Sequence, residues 1–143
     1  MMKVENRHIV VLGGARSGLA AALLLKRKGA EPFLSDSESL PVVSRERLKS
    51  AGIPFEENGH SSQAETGDFL IVSPGIPTRS PVVQHYLKSG KGVYSEIELA
   101  SWFNRSPITA VTGTNGKTTV ANWLAHTWKI AGRDPILAGN IGH

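Results

Sequence analysis

The chain has no cysteine among its 143 residues. Disulfides and thiolate metal sites are excluded, and a cysteine-free composition suits the cytoplasm. Aromatic residues are scarce at 6%. No apolar run approaches the ~20 residues needed to cross a membrane. No block of lysine and arginine interleaves with aromatics, which argues against a nucleic-acid partner. There is no internal repeat and no low-complexity segment, and Met1 to Val4 does not have the pattern of a signal peptide. What remains is a globular balance, with 40% hydrophobic and 20% charged residues. The net charge of +4 suits anionic ligands such as nucleotides. The local cluster Lys26-Arg27-Lys28 before Gly29 reads as the last turn of a helix and its glycine cap.

Two glycine loops carry the chemistry. The second is the more specific: Thr112-Gly113-Thr114-Asn115-Gly116-Lys117-Thr118-Thr119 follows the apolar run Ile108 to Val111 and opens a helical pattern. Glycines let several N–H groups converge on a phosphate, and a helix start adds the positive end of its dipole. Lys117 is placed to neutralise outer phosphates and the Thr118 hydroxyl to ligate magnesium. The loop departs from the general phosphate-loop pattern in one respect. Val111 stands where the first glycine is expected, and Gly113 is the first glycine of the loop. The other loop, Gly13-Gly14-Ala15-Arg16-Ser17-Gly18, follows the apolar run His8 to Leu12. It is the dinucleotide fingerprint with Ala15 in place of the middle glycine, which normally permits the closest approach to a pyrophosphate. Asp36, after the run Pro32 to Leu34, lies near the spacing at which an acid grips a ribose or base. Glycines that merely turn a tight corner would look the same.

Strand and helix patterns alternate along the chain. Helices are expected from about Ser17 to Lys28, Arg45 to Ala51, Pro81 to Ser89, Glu96 to Phe103 and Lys117 to about Ala131. Strands are expected at His8–Leu12, Pro32–Leu34, Phe55–Glu56, Asp68–Val72, Val93–Tyr94, Ile108–Val111 and Pro135–Ala138. This alternation predicts an α/β fold, a Rossmann-like parallel sheet with helices on both faces. The polar turn Asn104-Arg105-Ser106-Pro107 marks a boundary. Residues 1–105 read as a complete first domain and 106–143 as the opening of a phosphate-loop ATPase domain. A lone β-α-β piece of fewer than ~40 residues cannot bury both faces of its strands. Val120, Trp123, Leu124, Trp128 and Ala131 share one helical stripe, expected to face a core. Left uncovered, that stripe would drive self-association of the 143-residue chain.

At these residues the chain resembles the Mur ligases, which build the peptide stem of bacterial cell-wall precursors. The loop Thr112 to Thr119 matches their ATP loop, one shared with folylpolyglutamate and cyanophycin synthetases. Gly13 to Leu19, Ser73-Pro74-Gly75-Ile76, Ser95-Glu96-Ile97-Glu98-Leu99 and Gly139-Asn140-Ile141-Gly142 resemble the branch that adds D-glutamate. The resemblance implies an ATP- and magnesium-dependent ligase that joins D-glutamate to UDP-N-acetylmuramoyl-L-alanine through an acyl phosphate, cytoplasmic and monomeric at full length. It implies that the 143 residues alone are inactive. Gly113, Thr114, Asn115, Gly116, Lys117, Thr118 and Thr119 would hold ATP, with Lys117 and Thr118 catalytic and Thr118 on magnesium. Arg16 and Ser17 would face the diphosphate, Asp36 and Ser37 the uracil or ribose, Gly75 the uracil, and Asn140 the substrate. The competing readings are an NAD(P)-binding domain, a phosphate-loop kinase or GTPase, and a non-catalytic nucleotide-binding module.

Overall fold

The computed structural model describes residues 2–139. The chain divides into two compact units, Met1–Asn104 and Arg105–His143.

The first unit is built on five parallel strands, β1 (His8–Leu12), β2 (Glu31–Ser35), β3 (Phe55–Glu56), β4 (Phe69–Val72) and β5 (Val93–Ser95). Their order across the sheet is β3-β2-β1-β4-β5. Register runs from His8 opposite Glu31 to Leu12 opposite Ser35, and from Ile9 opposite Phe69 to Leu12 opposite Val72. The central strand reads HIVVL, and all but its first residue are buried. Such continuous burial is characteristic of a parallel sheet covered on both faces. Side chains alternate accordingly. Ile9, Val11, Leu34, Phe69 and Ile71 join one core with Leu19, Ala22 and Leu25 of α1 (Arg16–Arg27), Leu48 of α2 (Val42–Ser50) and Leu99 of α4 (Glu96–Phe103). Val10, Leu12, Phe33 and Leu70 join the other with Val82, Val83 and Tyr86 of α3 (Pro81–Lys88) and Ala64 of the 3-10 turn Ser62–Glu65. The expected Rossmann-like layering is thus present.

Four of the five α-helices among the described residues end on one device. After α1, Gly29 at φ +78° donates to Lys26 O while the Ala30 N–H reaches Leu25 O. This pair of bonds closes the last carbonyls of the helix and needs a residue that tolerates the left-handed region. The same pair forms around Gly52, Gly90 and Gly132. One helix start differs from expectation: α2 begins at Val42, ahead of Arg45, because Pro41 at φ −55° leads the chain into the helix.

The second unit contains α5 (Lys117–Ile130), entered from Gly116 in the left-handed conformation at φ +75°. Two expected strands are absent. Ile108–Val111 and Pro135–Ala138 carry no ladder. Their apolar composition favours a strand, but a strand needs neighbours to take up its N–H and C=O groups, and no strand pair occurs among the described residues of this unit. The stripe expected to face a core is also open, with Trp123 72% and Val120 45% exposed.

Candidate functional site

The order of the strands locates the first candidate site. From β1 the chain moves outward to β2 and β3, then returns to the other side of β1 as β4. Ligands of open parallel sheets bind in the crevice at such a reversal, beyond the carboxyl ends of the strands. Here that crevice is bordered by the loop after β1, Gly13 to Ala15, and the loop after β4, Ser73 to Ser80. The loops are stitched together. The Gly13 N–H donates to Ser35 O at 2.9 Å, the Ser73 N–H to Leu12 O at 3.0 Å, and the buried Ser73 hydroxyl to Gly13 O at 3.2 Å. A Cβ at Gly13 would stand 2.9 Å from Ser73 Cβ, and one at Gly18 would stand 1.8 Å from Gly13 O. Glycine at these positions is what lets α1 start against the strand ends.

Helix α1 begins without a side-chain cap, because its N-cap is Ala15. The first i→i−4 bond at its start runs from the Leu19 N–H to Ala15 O, so the Ser17 and Gly18 N–H groups lie ahead of it, at the positive end of the helix dipole. Arg16 and Ser17, expected to face a diphosphate, occupy this first turn. Asp36 and Ser37 follow β2 at the same edge of the sheet, and Gly75, at φ +89° and exposed, follows β4. Nothing lies within 4 Å of a Cβ built on Gly75. Its glycine is required by the backbone conformation, not by crowding.

Asp36 is not idle. Its Oδ2 accepts from the Gly14 N–H at 2.6 Å and its Oδ1 from the Glu38 N–H at 2.9 Å. Beside it, the fully buried Ser35 hydroxyl donates to Glu56 Oε1 at 2.7 Å and stands 2.6 Å from His60 Nδ1. The Ser61 N–H also donates to Glu56 Oε1, at 3.1 Å. Burial works to raise the Glu56 carboxyl, but the bonds from Ser61 and Ser35 and the nearby His60 win and hold it below its ordinary value. With its hydroxyl proton committed to Glu56, Ser35 is the acceptor toward His60, which places a proton on Nδ1. These groups were not singled out in the sequence. They stand 21 and 25 residues from Ser35, and no local pattern links them.

The second candidate site is the loop before α5. Gly113 sits at φ +150° and Gly116 at +75°. The Lys117 ammonium turns back onto the loop, donating to Gly113 O and, at 3.3 Å, to Thr114 O. Thr118 and Thr119 follow in the exposed first turn. The expected phosphate-binding residues Gly113, Thr114, Asn115, Gly116, Lys117, Thr118 and Thr119 are therefore contiguous around one helix start. Asn140 lies outside the described residues. No group of three or more histidine, aspartate or glutamate side chains among the described residues could hold a metal by itself. Magnesium commonly completes its shell with substrate phosphate oxygens and water, and the Thr118 hydroxyl is the expected protein oxygen in this loop.

A family model described as the MurD N-terminal domain matches residues 8–82. A curated relative from Salinibacter ruber, a UDP-N-acetylmuramoylalanine--D-glutamate ligase, is 46% identical over 99% of this chain and 32% of its own length. The chain thus spans about a third of that relative. Among solved structures, a pseudomurein peptide ligase type C from Methanothermus fervidus superposes with a TM-score of 0.59 at 30% identity, covering 89% of this chain and 27% of that one. The murein peptide ligase Mpl from Psychrobacter arcticus gives 0.63 at 25% identity, covering 94% and 30%.

Proposed function

The chain belongs to the MurD N-terminal domain family, and from that premise we propose that its first unit holds the UDP end of UDP-N-acetylmuramoyl-L-alanine. In the same proposal, Gly113 to Thr119 hold the phosphates of ATP. The whole protein would then be a cytoplasmic amide ligase that adds D-glutamate. The observation that carries this reading is the pairing of a side-chain-uncapped α1 at the sheet reversal with a Gly-Lys-Thr helix start in one chain. A plain dinucleotide-binding domain accounts for the first and leaves the second without a role.

The chemistry asks for concentrated positive charge. A substrate carboxylate oxygen attacks the γ-phosphorus, the bond to the ADP oxygen breaks, and an acyl phosphate forms. The D-glutamate amine then attacks the acyl carbon, inorganic phosphate leaves, and the nitrogen gives up a proton. The first step brings two anions together, so its barrier falls where fixed donors and a cation meet the transferring group. The loop N–H groups are such donors. Lys117 is the cation, and its ammonium would leave the Gly113 and Thr114 carbonyls for the phosphates. Bound magnesium, with the Thr118 hydroxyl as one ligand, would add charge neutralisation on the phosphate oxygens. In the first unit, the Arg16–Ser17 turn would take the diphosphate, and Asp36, Ser37 and Gly75 would border the uridine.

Calorimetric titration of the chain with UDP, NAD and ATP tests the reading. UDP should bind and NAD should bind more weakly; NAD preferred over UDP would overturn the assignment. In the full-length protein, Lys117→Ala should lower turnover by orders of magnitude, read as phosphate release that requires ATP, UDP-N-acetylmuramoyl-L-alanine and D-glutamate together. Near-normal turnover in that variant would remove the loop from the ATP site.

A further inference from the structure

We propose that Asp36 is a positioning residue that sets ligand choice at the first site. By holding the Gly14 N–H, its carboxylate makes the loop after β1 accept a UDP-type diphosphate on the first turn of α1 and reject the pyrophosphate of a dinucleotide. This rests on the UDP reading above and deepens it.

At 2.6 Å, Oδ2 makes a short, charge-assisted bond to the Gly14 N–H. That N–H would otherwise be a donor for an anion seated over the loop. The carboxylate both removes the donor and leaves a negative charge where a dinucleotide pyrophosphate would lie, so a phosphate there meets repulsion in place of a hydrogen bond. Access from the other side is closed as well. A Cβ at Gly14 would stand 2.0 Å from Leu40 Cδ2 and 3.0 Å from Leu34 Cδ2, so apolar side chains pack against the glycine. The next residue is Ala15, whose methyl group occupies the position at which dinucleotide sites use a glycine for close approach.

The second oxygen is engaged too. Oδ1 accepts from the Glu38 N–H at 2.9 Å, which closes the turn after β2. In a dinucleotide site the acid at this position hydrogen-bonds a ribose hydroxyl. Here each oxygen already serves a backbone N–H, so the carboxylate acts first as a strut between the loops after β1 and β2. An anionic ligand is thereby displaced toward Ser17 and Gly18, whose N–H groups precede the first helical bond.

The test compares wild type, Asp36→Ala and Asp36→Asn in the full chain. UDP and NAD affinities are measured by calorimetry, and exchange of the Gly14 amide by NMR. Asp36→Ala should speed Gly14 exchange at least tenfold, weaken UDP about tenfold, and leave NAD unchanged or tighter. Asp36→Asn keeps an acceptor and removes the charge. It should restore slow Gly14 exchange and still narrow the preference for UDP, which separates the charge from the strut even if the alanine variant folds poorly. Unchanged Gly14 exchange in both variants overturns the proposal, whatever happens to affinity, because Asp36 would then act on the ligand directly. An unchanged UDP-to-NAD ratio in both also overturns it. Failure of the UDP reading itself shows earlier and separately, as wild type that does not prefer UDP.

Discussion

Replacing Gly18 with alanine sets two opposed effects against each other. Gly18 lies in the first turn of α1, where alanine is the better helix former by about 1 kcal/mol. On propensity alone the variant should be more stable. The new Cβ, however, would stand 1.8 Å from Gly13 O, 2.9 Å from Gly13 C and 2.7 Å from Ser73 Oγ. A carbon and a carbonyl oxygen need about 3.3 Å, so something must move by roughly 1.5 Å. The Ser73 hydroxyl can rotate away. Gly13 O cannot yield as easily, because Gly13 is bonded through its N–H to Ser35 and through its carbonyl to Ser73. The shift falls on α1, whose Leu25 and Ala22 are fully buried against the sheet. Overpacking of this kind costs about 3 kcal/mol, leaving a net loss of about 2 kcal/mol after the propensity gain. For a unit of this size that lowers Tm by about 8–16 °C. Thermal unfolding followed by far-UV circular dichroism measures it, with exposed Ala20→Gly in the same helix as the propensity control, expected to cost about 1 kcal/mol. A Tm for Gly18→Ala equal to or above wild type would refute the steric argument. UDP affinity should fall with the same substitution, since the displaced turn carries the proposed diphosphate donors.

Two further outcomes follow from burial. Burial raises the fully buried Tyr86 phenol to about 12, aided by Glu65 and Asp68 and opposed by the Gly67 N–H that donates to it at 2.9 Å. The folded state therefore keeps its proton where the unfolded chain, with a value near 10, loses it. The stabilisation is complete below pH 10 and is lost as pH rises toward 12, on the order of 2–3 kcal/mol. Denaturant titrations across that window should show this contribution vanish in Tyr86→Phe, which should also lose about 1–3 kcal/mol at neutral pH from an unpartnered Gly67 N–H; an identical alkaline profile would contradict it. In the second unit, Trp123, Ile130 and Ile136 are 72%, 76% and 90% exposed. Light scattering of the 143-residue chain should report association that Trp123→Lys reduces, and a monomeric mass at every concentration would exclude it.

What the sequence made legible was local. The run His8 to Leu12, Gly29 after the cluster Lys26-Arg27-Lys28, and Pro81 at the start of α3 announced elements that form where expected. These signals lie within a turn or two of the feature they determine. The same local reasoning failed for Ile108–Val111 and Pro135–Ala138, because a strand is a property of pairs and their apolar composition says nothing about partners. It also missed the partner of Asp36. Spacing marked the carboxylate as a ligand group, but the Gly14 N–H stands 22 residues earlier and meets it only because β1 and β2 pair in register. The Ser35, Glu56 and His60 contacts were hidden for the same reason.

The two glycine loops differ in the sign of the charge that closes them. In the first, an anion, Asp36, occupies a backbone donor, Gly14 N–H. In the second, a cation, Lys117, occupies backbone acceptors, Gly113 O and Thr114 O. The consequences for an anionic ligand are opposite. Under the proposed function, a phosphate arriving at the second loop would compete with neutral carbonyls for Lys117, and because a charged acceptor makes the stronger bond, the cation would transfer to the ligand. A phosphate arriving at the first loop would find no cation in Asp36 and, in the proposal above, would take the donors beyond it, in the first turn of α1. Under the proposed function this division matches the two tasks. The nucleotide that reacts would meet a movable cation, whereas the nucleotide that only anchors the substrate would meet a fixed, pre-shaped turn. A lysine in place of Asp36 would abolish that difference, and the Asp36→Asn comparison measures how much of it the charge alone supplies.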